Sequence, residues 1–307
     1  MDNKNRLIWL GGKMIPVEQA TINVLSPTSQ FGLNVFEGIR CYWSDQEQQL
    51  YAFRLEDHYK RLQQSIKLMR IKSHYSTADF RQGLIDIVKA NNYHEDIAVR
   101  QTVFVDGLGG TWNSCEPVNM FIAPIAKAFV PIEQKKGQLC QVSSWERISD
   151  RNLSPRAKVG ANYINSRMAY LEAIQNGYDT ALILNNQGKV AEGPGSCFFM
   201  VRDNVLYTPP VTASVLESIT RDTIIRIAQE VLNIKTVERD IDRTELYICD
   251  EAFLCGSAME ITHVIDIDGY TIGNGNIGPT TRKLSDIYHQ VTTGQLQDYK
   301  DWLTPIY

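Results

Sequence analysis

The start of a predicted helix at Ser218-Ile-Thr220 has residue types that could bind a phosphate group. The first backbone N–H groups of a helix have no hydrogen-bond partner inside the helix, and the helix dipole favours an anion at that end. Ser and Thr at a helix start can equally act as N-caps without any ligand. The segment therefore permits a phosphorylated ligand but does not by itself require one.

Two glycine-rich turns and one lysine offer further chemistry. Glu192-Gly-Pro-Gly195 and Cys255-Gly-Ser-Ala258 each join apolar, strand-like segments, and neither fits a dinucleotide or P-loop fingerprint. Taken alone, both are compatible with ordinary tight turns. Lys158 precedes the predicted helix over Asn162 to Asn176, but composition alone does not distinguish this lysine from any other solvated lysine. The histidines form no two-His metal motif, so no metal site is predicted.

Length and composition indicate a globular protein of about two domains. The 307 residues are 43% hydrophobic, 21% charged and 9% aromatic, close to the averages for such proteins. With 31 basic and 35 acidic residues the net charge is −4, so no broad positive field is available to attract nucleic acid or anionic lipid. The six cysteines are scattered, lack zinc-site spacing and are expected to be reduced thiols.

No targeting or membrane segment is predicted. The residues before Gly11-Gly12 lack the apolar stretch of a signal peptide. Apolar runs such as Met120 to Ala126 stop well short of the roughly 18 residues of a spanning helix. We therefore expect a soluble, cytoplasmic protein that does not bind membranes.

Hydrophobic periodicity predicts helices beside a mainly antiparallel sheet in the first half of the chain. The apolar segments around Gly11-Gly12 predict a β-hairpin. Apolar spacing of three and four residues from Leu55 to Arg70 predicts an amphipathic helix, and Ser76-Thr-Ala-Asp79 resembles a capping box ahead of a second helix. Ile97 to Val105 and Val118 to Ile125 are predicted strands.

The stretch from 127 to 137 loses periodicity and gains proline, glycine and charge, which indicates an exposed connection. We expect an N-terminal domain over residues 1–126, a linker over 127–137 and a C-terminal domain over 138–307. In the latter, Asn162 to Asn176 and Ser218 to Leu232 have helical periodicity, and Pro279 opens a last helix. The predicted strands are Gln138 to Trp145, Thr180 to Leu184, Cys197 to Val201, Val205 to Tyr207, Glu251 to Leu254 and Ile261 to Ile267. The pattern indicates a mixed α/β protein of the α+β type.

Several motifs, in order along nearly the whole chain, carry a family resemblance. They are Val35-Phe-Glu-Gly-Ile-Arg40, His58-Tyr-Lys-Arg-Leu62, Ala157-Lys-Val-Gly-Ala-Asn-Tyr163, Glu192-Gly-Pro-Gly195, Ile219-Thr-Arg-Asp222 and Gly256-Ser-Ala-Met-Glu-Ile-Thr262. Together they resemble the fold-type IV pyridoxal-phosphate enzymes, and most of all the branched-chain amino acid aminotransferases. The resemblance implies a small N-terminal α/β domain, a larger C-terminal pseudo-barrel domain and an active site between them.

The resemblance implies that the chain binds pyridoxal 5′-phosphate (PLP). Lys158 would form the internal Schiff base with the cofactor aldehyde and later move a proton. Glu192 would meet the pyridine nitrogen and keep the ring protonated, and Tyr163 would lie beside the phenolic oxygen. The residues that would hold the phosphate are Arg61, Ile219, Thr220 and Ser257.

The same resemblance implies a substrate site at Phe31, Phe36, Gly38, Arg40, Arg100, Gly195 and Ala258. Arg100 would bind a substrate carboxylate, alongside Arg40 and turn amides. The family usually has tyrosines at the positions of Phe31 and Ala98, and Glu-Asn where this chain has Ser196-Cys197. Loss of the aromatic at position 98 is expected to enlarge or reshape the pocket.

The predicted reaction moves the amino group of a hydrophobic or branched-chain L-amino acid to a 2-oxo acid such as 2-oxoglutarate, in at least a homodimer. The alternatives within the fold are a D-amino acid or (R)-amine aminotransferase and an aminodeoxychorismate lyase. The D-amino acid subgroup usually has Arg-x-His where this chain has Arg100-Gln-Thr102. A non-catalytic binding protein would need a lost catalytic group, but both Lys158 and Glu192 are present.

Overall fold

The computed structural model describes residues 6–307, which form two compact units. Unit 1 comprises residues 6–129, Ala157–Ala161 and Gln290–Tyr307, and unit 2 comprises Val130–Arg156 and Asn162–His289. The predicted N-terminal domain starts at residue 1, and its residues 1–5 lie outside the described part. The sequence-based division at 127–137 stays a prediction.

Strands and helices follow one another along residues 6–307. The strands are β1 (Leu7–Leu10), β2 (Lys13–Pro16), β3 (Asn34–Ser44), β4 (Gln49–Phe53), β5 (Ile97–Val105), β6 (Val118–Ala126), β7 (Gln138–Glu146), β8 (Thr180–Leu184), β9 (Val190–Gly193), β10 (Ser196–Arg202), β11 (Val205–Thr208), β12 (Thr236–Glu238), β13 (Glu251–Gly256), β14 (Glu260–Ile267), β15 (Tyr270–Thr271) and β16 (Leu303–Pro305). The α-helices are α1 (Pro27–Phe31), α2 (Leu55–Leu68), α3 (Thr77–Asn91), α4 (Tyr163–Gln175), α5 (Ile219–Glu230) and α6 (Pro279–Thr292). Short 3₁₀ helices span Val17–Gln19, Ile132–Gln134, Gly160–Asn162, Arg243–Ile248 and Gln297–Trp302.

Unit 1 contains a seven-stranded antiparallel sheet in the order β16-β4-β3-β5-β6-β1-β2. The β1–β2 hairpin turns at Gly11 and Gly12, both with positive φ, which confirms the prediction there. Helix α2 confirms its predicted period, because Leu55, Tyr59 and Leu62 are buried in the core cluster that includes β3 and β5 residues. Each such side chain contributes about 1.5–3 kcal/mol on burial.

Unit 2 contains a closed ring of six strands. The sheet runs β9-β8-β7-β14-β13-β10, and β10 pairs again with β9, so the ring has no edge. Strand β7 is parallel to both β8 and β14, and the other pairs in the ring are antiparallel. Apolar residues from the ring form its core, including Leu182, Phe198 and Leu254. The ring confirms the mixed α/β class and the predicted barrel.

Most predicted elements are confirmed to within a few residues at their ends, and the local capping signals are correct. Ser76 and Asp79 form a reciprocal capping box at the start of α3. Ser218 caps α5, and α6 begins at Pro279. The elements that periodicity did not indicate are α1, β9, β12, β15 and β16.

Candidate active site

Strands β3 and β5 place most of the predicted substrate residues on one face of the sheet in unit 1. Side chains alternate along a strand, so Phe36, Gly38 and Arg40 share one face of β3. In the antiparallel register Gly38 lies opposite Arg100, and Arg40 lies opposite Ala98. Residues that oppose each other in a sheet project to the same side, so this face carries all five positions. A Cβ added at Gly38 would meet nothing within 4 Å, so the face is open at this point.

Two cationic side chains converge on the ring of Phe36. The Cζ atom of Arg100 lies 3.9 Å from the ring centroid, and the Nζ atom of Lys158 lies 5.0 Å from it. Phe36 is buried and Arg100 is exposed. Cations over an aromatic face are attracted by its quadrupole. The structure therefore brings together a predicted nucleophile, a predicted carboxylate-binding arginine and a predicted pocket wall.

The backbone around Lys158 is fixed by neighbours in unit 1. The Phe36 N–H donates to the Lys158 carbonyl at 3.0 Å, and the Lys158 N–H donates to Ser65 Oγ of α2 at 3.1 Å. Gly160 is required for this approach, because a Cβ there would lie 2.5 Å from Oδ1 of Asn34. These contacts hold the backbone of Lys158 while its side chain stays only partly buried.

The opposite face of β3 carries a buried charge cluster that the sequence analysis missed. Glu37 Oε1 accepts from Arg61 Nε at 2.8 Å, and Oε2 accepts from Arg61 Nη2 at 2.6 Å and lies 2.7 Å from His58 Nδ1. All three side chains are buried. A glutamate at a core-facing position, between Val35 and Ile39, is the signal that could have revealed it, because a buried charge requires partners.

Burial and pairing act in opposite directions on the ionisation of this cluster. Burial by itself would raise the pKa of Glu37, but Arg61 and His58 together hold that pKa well below the ordinary value. Burial lowers the pKa of His58, and the raising effect of Glu37 does not fully offset it. Arg61 is thus held rigidly by Glu37 in a two-pronged contact, at the helix position predicted to bind a phosphate.

Glu192 in unit 2 is a buried carboxylate with an arginine partner. Its Oε1 lies 2.6 Å from Nη2 of Arg147, and the exposed fractions of the two side chains are 5% and 8%. The Leu216 N–H donates to Glu192 Oε2 at 3.3 Å, and Cys197 Sγ lies 3.9 Å from the same oxygen. Arg147 was missed by the sequence analysis, since it lies just past the end of β7 and outside every family motif identified.

Arg147 also links Glu192 to the start of α4, where Tyr163 lies. Its Nη1 donates to Asn165 Oδ1 at 3.3 Å and to Ser166 Oγ at 3.4 Å. Its buried Nε–H has no acceptor among residues 6–307. A buried donor of this kind is what a bound ligand can satisfy.

The predicted phosphate residues Ile219 and Thr220 open helix α5, and Leu216, just before this helix, contacts the Glu192 carboxylate. Cys197 Sγ, beside Glu192, also contacts the Leu216 carbonyl, two residues before the Ser218 cap of α5. Ser218 Oγ accepts from the Arg221 N–H at 3.3 Å, so capping is confirmed. Ile219 and Thr220, both buried, occupy the first turn of α5, whose amides have no acceptor within the helix.

The two glycine-rich turns meet at one end of the ring. Cys197 pairs with Cys255 across β10 and β13, and a Cβ added at Gly256 would lie 3.3 Å from the Gly195 carbonyl. This register brings the turn with Gly195 close to the segment with Ser257 and Ala258. Phe31, the remaining predicted substrate residue of unit 1, is the last residue of α1, and 42% of its surface is exposed.

The described part of the chain offers neither a metal site nor a membrane-spanning helix. No group of three or more His, Cys, Asp or Glu side chains could hold a metal ion within residues 6–307. All six cysteines lie in this part and are free thiols. In the same range, no helix combines the length and the apolar character needed to cross a bilayer.

Comparison with known proteins shows which family the chain is similar to. The family model of amino-transferase class IV matches residues 34–267. The chain is 37% identical to the branched-chain-amino-acid aminotransferase of Pseudomonas aeruginosa, over 99% of this chain and 98% of that protein. It is 36% identical to a probable branched-chain-amino-acid aminotransferase of Aquifex aeolicus, over 96% of this chain and 95% of that protein.

Solved structures give the same result. A branched-chain amino acid aminotransferase from Thermobaculum terrenum, in its PLP form, superposes with a TM-score of 0.93 at 43% identity, covering 100% of both chains. The branched-chain aminotransferase of Thermoproteus uzoniensis with norvaline gives 0.92 at 38% identity, covering 98% of this chain and 99% of that one. The chain therefore belongs to the class IV aminotransferase family. The predicted fold-type IV family and aminotransferase class are confirmed, whereas the site residues stay predictions.

Proposed function

We propose that this aminotransferase uses PLP to move the amino group of a hydrophobic or branched-chain L-amino acid to a 2-oxo acid such as 2-oxoglutarate. The observation that carries the proposal is the convergence of Lys158 and Arg100 on the ring of Phe36. It joins an amine, a carboxylate-binding cation and an apolar wall. When bound, PLP supplies an electron sink for the electrons released at the substrate Cα.

The chemistry of the donor set fits PLP. The cofactor has a phosphate, which suits the Arg61 guanidinium and the start of α5 at Ile219 and Thr220. Its ring nitrogen suits the buried carboxylate of Glu192, and Ser257 and Tyr163 add polar contacts. Buried carboxylates and guanidiniums are costly without a use or a partner, and these are arranged in pairs.

Lys158 acts as nucleophile and then as the base and acid that move a proton at the substrate Cα. The ring of Phe36 beneath its Nζ keeps water from one side of the amine. Arg100 and Arg40 bind the substrate carboxylate from the same face of β3 and β5. Because positions 38 and 98 on that face are Gly and Ala, the site has room for an apolar substrate side chain.

Relatives support the substrate class. Curated relatives named as branched-chain-amino-acid aminotransferases match nearly the whole chain. Solved relatives include one with norvaline and one complexed with N-(5′-phosphopyridoxyl)-L-glutamate. An apolar amino acid is the amino donor of the proposed exchange in the forward direction, and glutamate is the donor in the reverse direction.

The experiment compares the wild-type protein with Lys158→Ala, using Lys60→Ala as a control for the loss of one exposed lysine of the same unit. Each is assayed with L-leucine, L-isoleucine, L-valine, D-alanine and an (R)-amine, with 2-oxoglutarate as acceptor, and with aminodeoxychorismate alone for the release of pyruvate. We expect transfer from the branched-chain L-amino acids, a fall of about 10²–10⁴-fold or more in Lys158→Ala, and no change in Lys60→Ala. Visible absorbance that borohydride removes should be present in the wild type and absent in Lys158→Ala. Preferred turnover of a D-amino acid, an (R)-amine or the lyase substrate would contradict the proposal.

We propose that the enzyme is cytoplasmic and at least a homodimer. Helix α4 exposes the apolar side chains Ile164, Met168 and Ile174, which an isolated chain would leave in water. Light scattering on the holoenzyme should give at least twice the chain mass of 34.9 kDa. A mass of one chain, or recovery of the protein in a membrane or secreted fraction, would contradict it.

A further inference from the structure

We infer that Arg147 is a positioning residue that holds the Glu192 carboxylate ionised and in a fixed orientation toward the ring nitrogen of the cofactor. The inference rests on the proposed function, because it assigns to Arg147 a role that acts through Glu192. None of the family motifs identified in the sequence includes Arg147. The assignment comes from the contacts that surround it.

The ion pair between the two residues is short and buried. Arg147 Nη2 lies 2.6 Å from Glu192 Oε1, and at least nine-tenths of each side chain is removed from water. A carboxylate at such a position takes up a proton unless a cation compensates its desolvation. A guanidinium is always protonated and therefore provides that compensation at every relevant pH.

Two further contacts of Glu192 are weaker than this pair. The Leu216 N–H is a neutral donor at 3.3 Å, and the Cys197 thiol is a weak donor at 3.9 Å. The family pattern usually has an asparagine where this chain has Cys197.

Arg147 is itself held from more than one direction. Its backbone N–H donates to the Leu184 carbonyl at 2.8 Å, and its Nη1 contacts Asn165 and Ser166 of α4. A side chain fixed at its backbone, at one guanidinium nitrogen and at its anionic partner has few alternative rotamers. Arg147 can thus transmit the rigid placement of β8 and α4 to Glu192.

The test is a double-mutant cycle on the full-length enzyme. The variants are Arg147→Met, Arg147→Lys, Glu192→Gln and the two double variants Arg147→Met/Glu192→Gln and Arg147→Lys/Glu192→Gln. Arg239→Met is the matched control, since Arg239 pairs with Glu245 at 2.6 Å in the same unit but outside the candidate site. PLP affinity is measured by titrating the apoprotein and following its fluorescence, and kcat and KM are measured with L-leucine and 2-oxoglutarate.

We expect Arg147→Met to weaken PLP binding and lower kcat by about 10–100-fold, the usual range for a residue that orients the ligand of a bound group. KM should change much less. Arg147→Lys should recover part of both losses, because it restores the charge without the two-pronged geometry. In the Glu192→Gln background, Arg147→Met should cause little further loss, because the carboxylate that it positions is gone. Arg239→Met should leave PLP affinity and kcat unchanged.

Equal losses from Arg147→Met in both backgrounds would show that Arg147 only stabilises unit 2, and would overturn the inference. An unchanged PLP affinity in Arg147→Met or Arg147→Lys would also overturn it, while a wild-type protein that binds PLP and transaminates would leave the proposed function intact. Failure of the wild-type apoprotein to bind PLP would overturn both. If Arg147→Met does not fold, the comparison of Arg147→Lys in the two backgrounds decides the question.

Discussion

Glu37 illustrates how one residue can link the core of unit 1 to its candidate site. Alternation along β3 sends Glu37 to the face packed against α2, while Phe36 and Gly38 face the other way. The charge of Glu37 is retained there because Arg61 and His58 contact both of its oxygens. The same contacts fix Arg61, which is predicted to bind the phosphate. A core interaction therefore determines where this arginine lies.

His58 should make the stability of the protein depend on pH. Burial lowers its pKa, so the unfolded chain binds the proton more readily than the folded one, and stability falls as the pH drops below the unfolded value of about 6.5. The slope for one such group is at most about 1.4 kcal/mol per pH unit. We expect His58→Gln to reduce the loss of stability between about pH 7.5 and 5.5.

Urea unfolding at several pH values in this range measures the effect, with His94→Gln as the control because His94 is exposed. The pKa of Glu37 is also lowered, but its contribution to stability is lost only as the pH falls below the unfolded glutamate value of about 4.3. The titration of Glu37 therefore does not contribute to the change in stability between about pH 7.5 and 5.5. A His58→Gln variant whose stability retains the wild-type pH dependence would contradict a lowered pKa of His58 in the folded protein.

At the scale of elements, helix α6 is held to the ring of unit 2 by a carboxylate from β13. Glu251 Oε1 accepts from the Thr280 N–H at 2.9 Å, and Oε2 accepts from the Thr281 N–H and hydroxyl at 2.8 and 2.7 Å. A carboxylate at a helix N-terminus satisfies amides that lack acceptors within the helix and also interacts favourably with the helix dipole. Gly278 allows the approach, because a Cβ there would lie 2.1 Å from Glu251 Cδ.

We expect Glu251→Ala to lower the free energy of unfolding by about 2–3 kcal/mol, since it removes hydrogen bonds to a charged, buried acceptor. Asp286→Ala is the control, because Asp286 is an exposed acidic residue of α6, the helix that Glu251 caps. Denaturant unfolding followed by circular dichroism gives both values. Equal losses in the two variants would show that the loss follows from removing any acidic side chain on or beside α6 and not from removing the cap.

Elements with local signals could be predicted from the sequence, and elements that depend on distant partners could not. The period of α2 and the capping box of α3 are encoded within a few residues, and both are confirmed. Strand β9 spans only the four residues Val190–Gly193, and it is defined by its pairing with β8 and β10. The family motifs identified Lys158 and Glu192, but their partners Ser65 and Arg147 come from other elements and were not predictable.

At the scale of the whole molecule, chain order and spatial order differ. Lys158 belongs to unit 1 through Ala157–Ala161, although the segments on both sides of this stretch, Val130–Arg156 and Asn162–His289, belong to unit 2. Unit 1 is also completed by the last residues of the sequence. Strand β16 pairs antiparallel with β4, and β4 pairs with β3, the strand that carries Phe36 and Glu37. The candidate site therefore depends on segments from both ends of the sequence.

The segment around β16 should stabilise unit 1 through packing as well as through strand pairing. Ile306 is buried and belongs to the core cluster of β3 and α2, and its N–H donates to the Leu50 carbonyl at 3.0 Å. Ile306→Ala removes apolar atoms from a packed core and leaves a cavity, so we expect a loss of about 2–5 kcal/mol in the free energy of unfolding. Thr304→Ala, in β16 itself and only partly buried, should cost much less.

Thermal unfolding of the two variants distinguishes these contributions. A loss of 2–5 kcal/mol corresponds to a fall in Tm of roughly 4–20 °C at about 2–4 °C per kcal/mol. Transamination well below that temperature should stay at the wild-type rate in both variants, because β4 and β3 separate β16 from β5, which carries Arg100, and the folded sheet keeps its register. If Ile306→Ala and Thr304→Ala lower Tm equally, packing of Ile306 in the core is not the main contribution of this segment. If Ile306→Ala lowers kcat without lowering Tm, the segment acts on the site and not on the stability of unit 1.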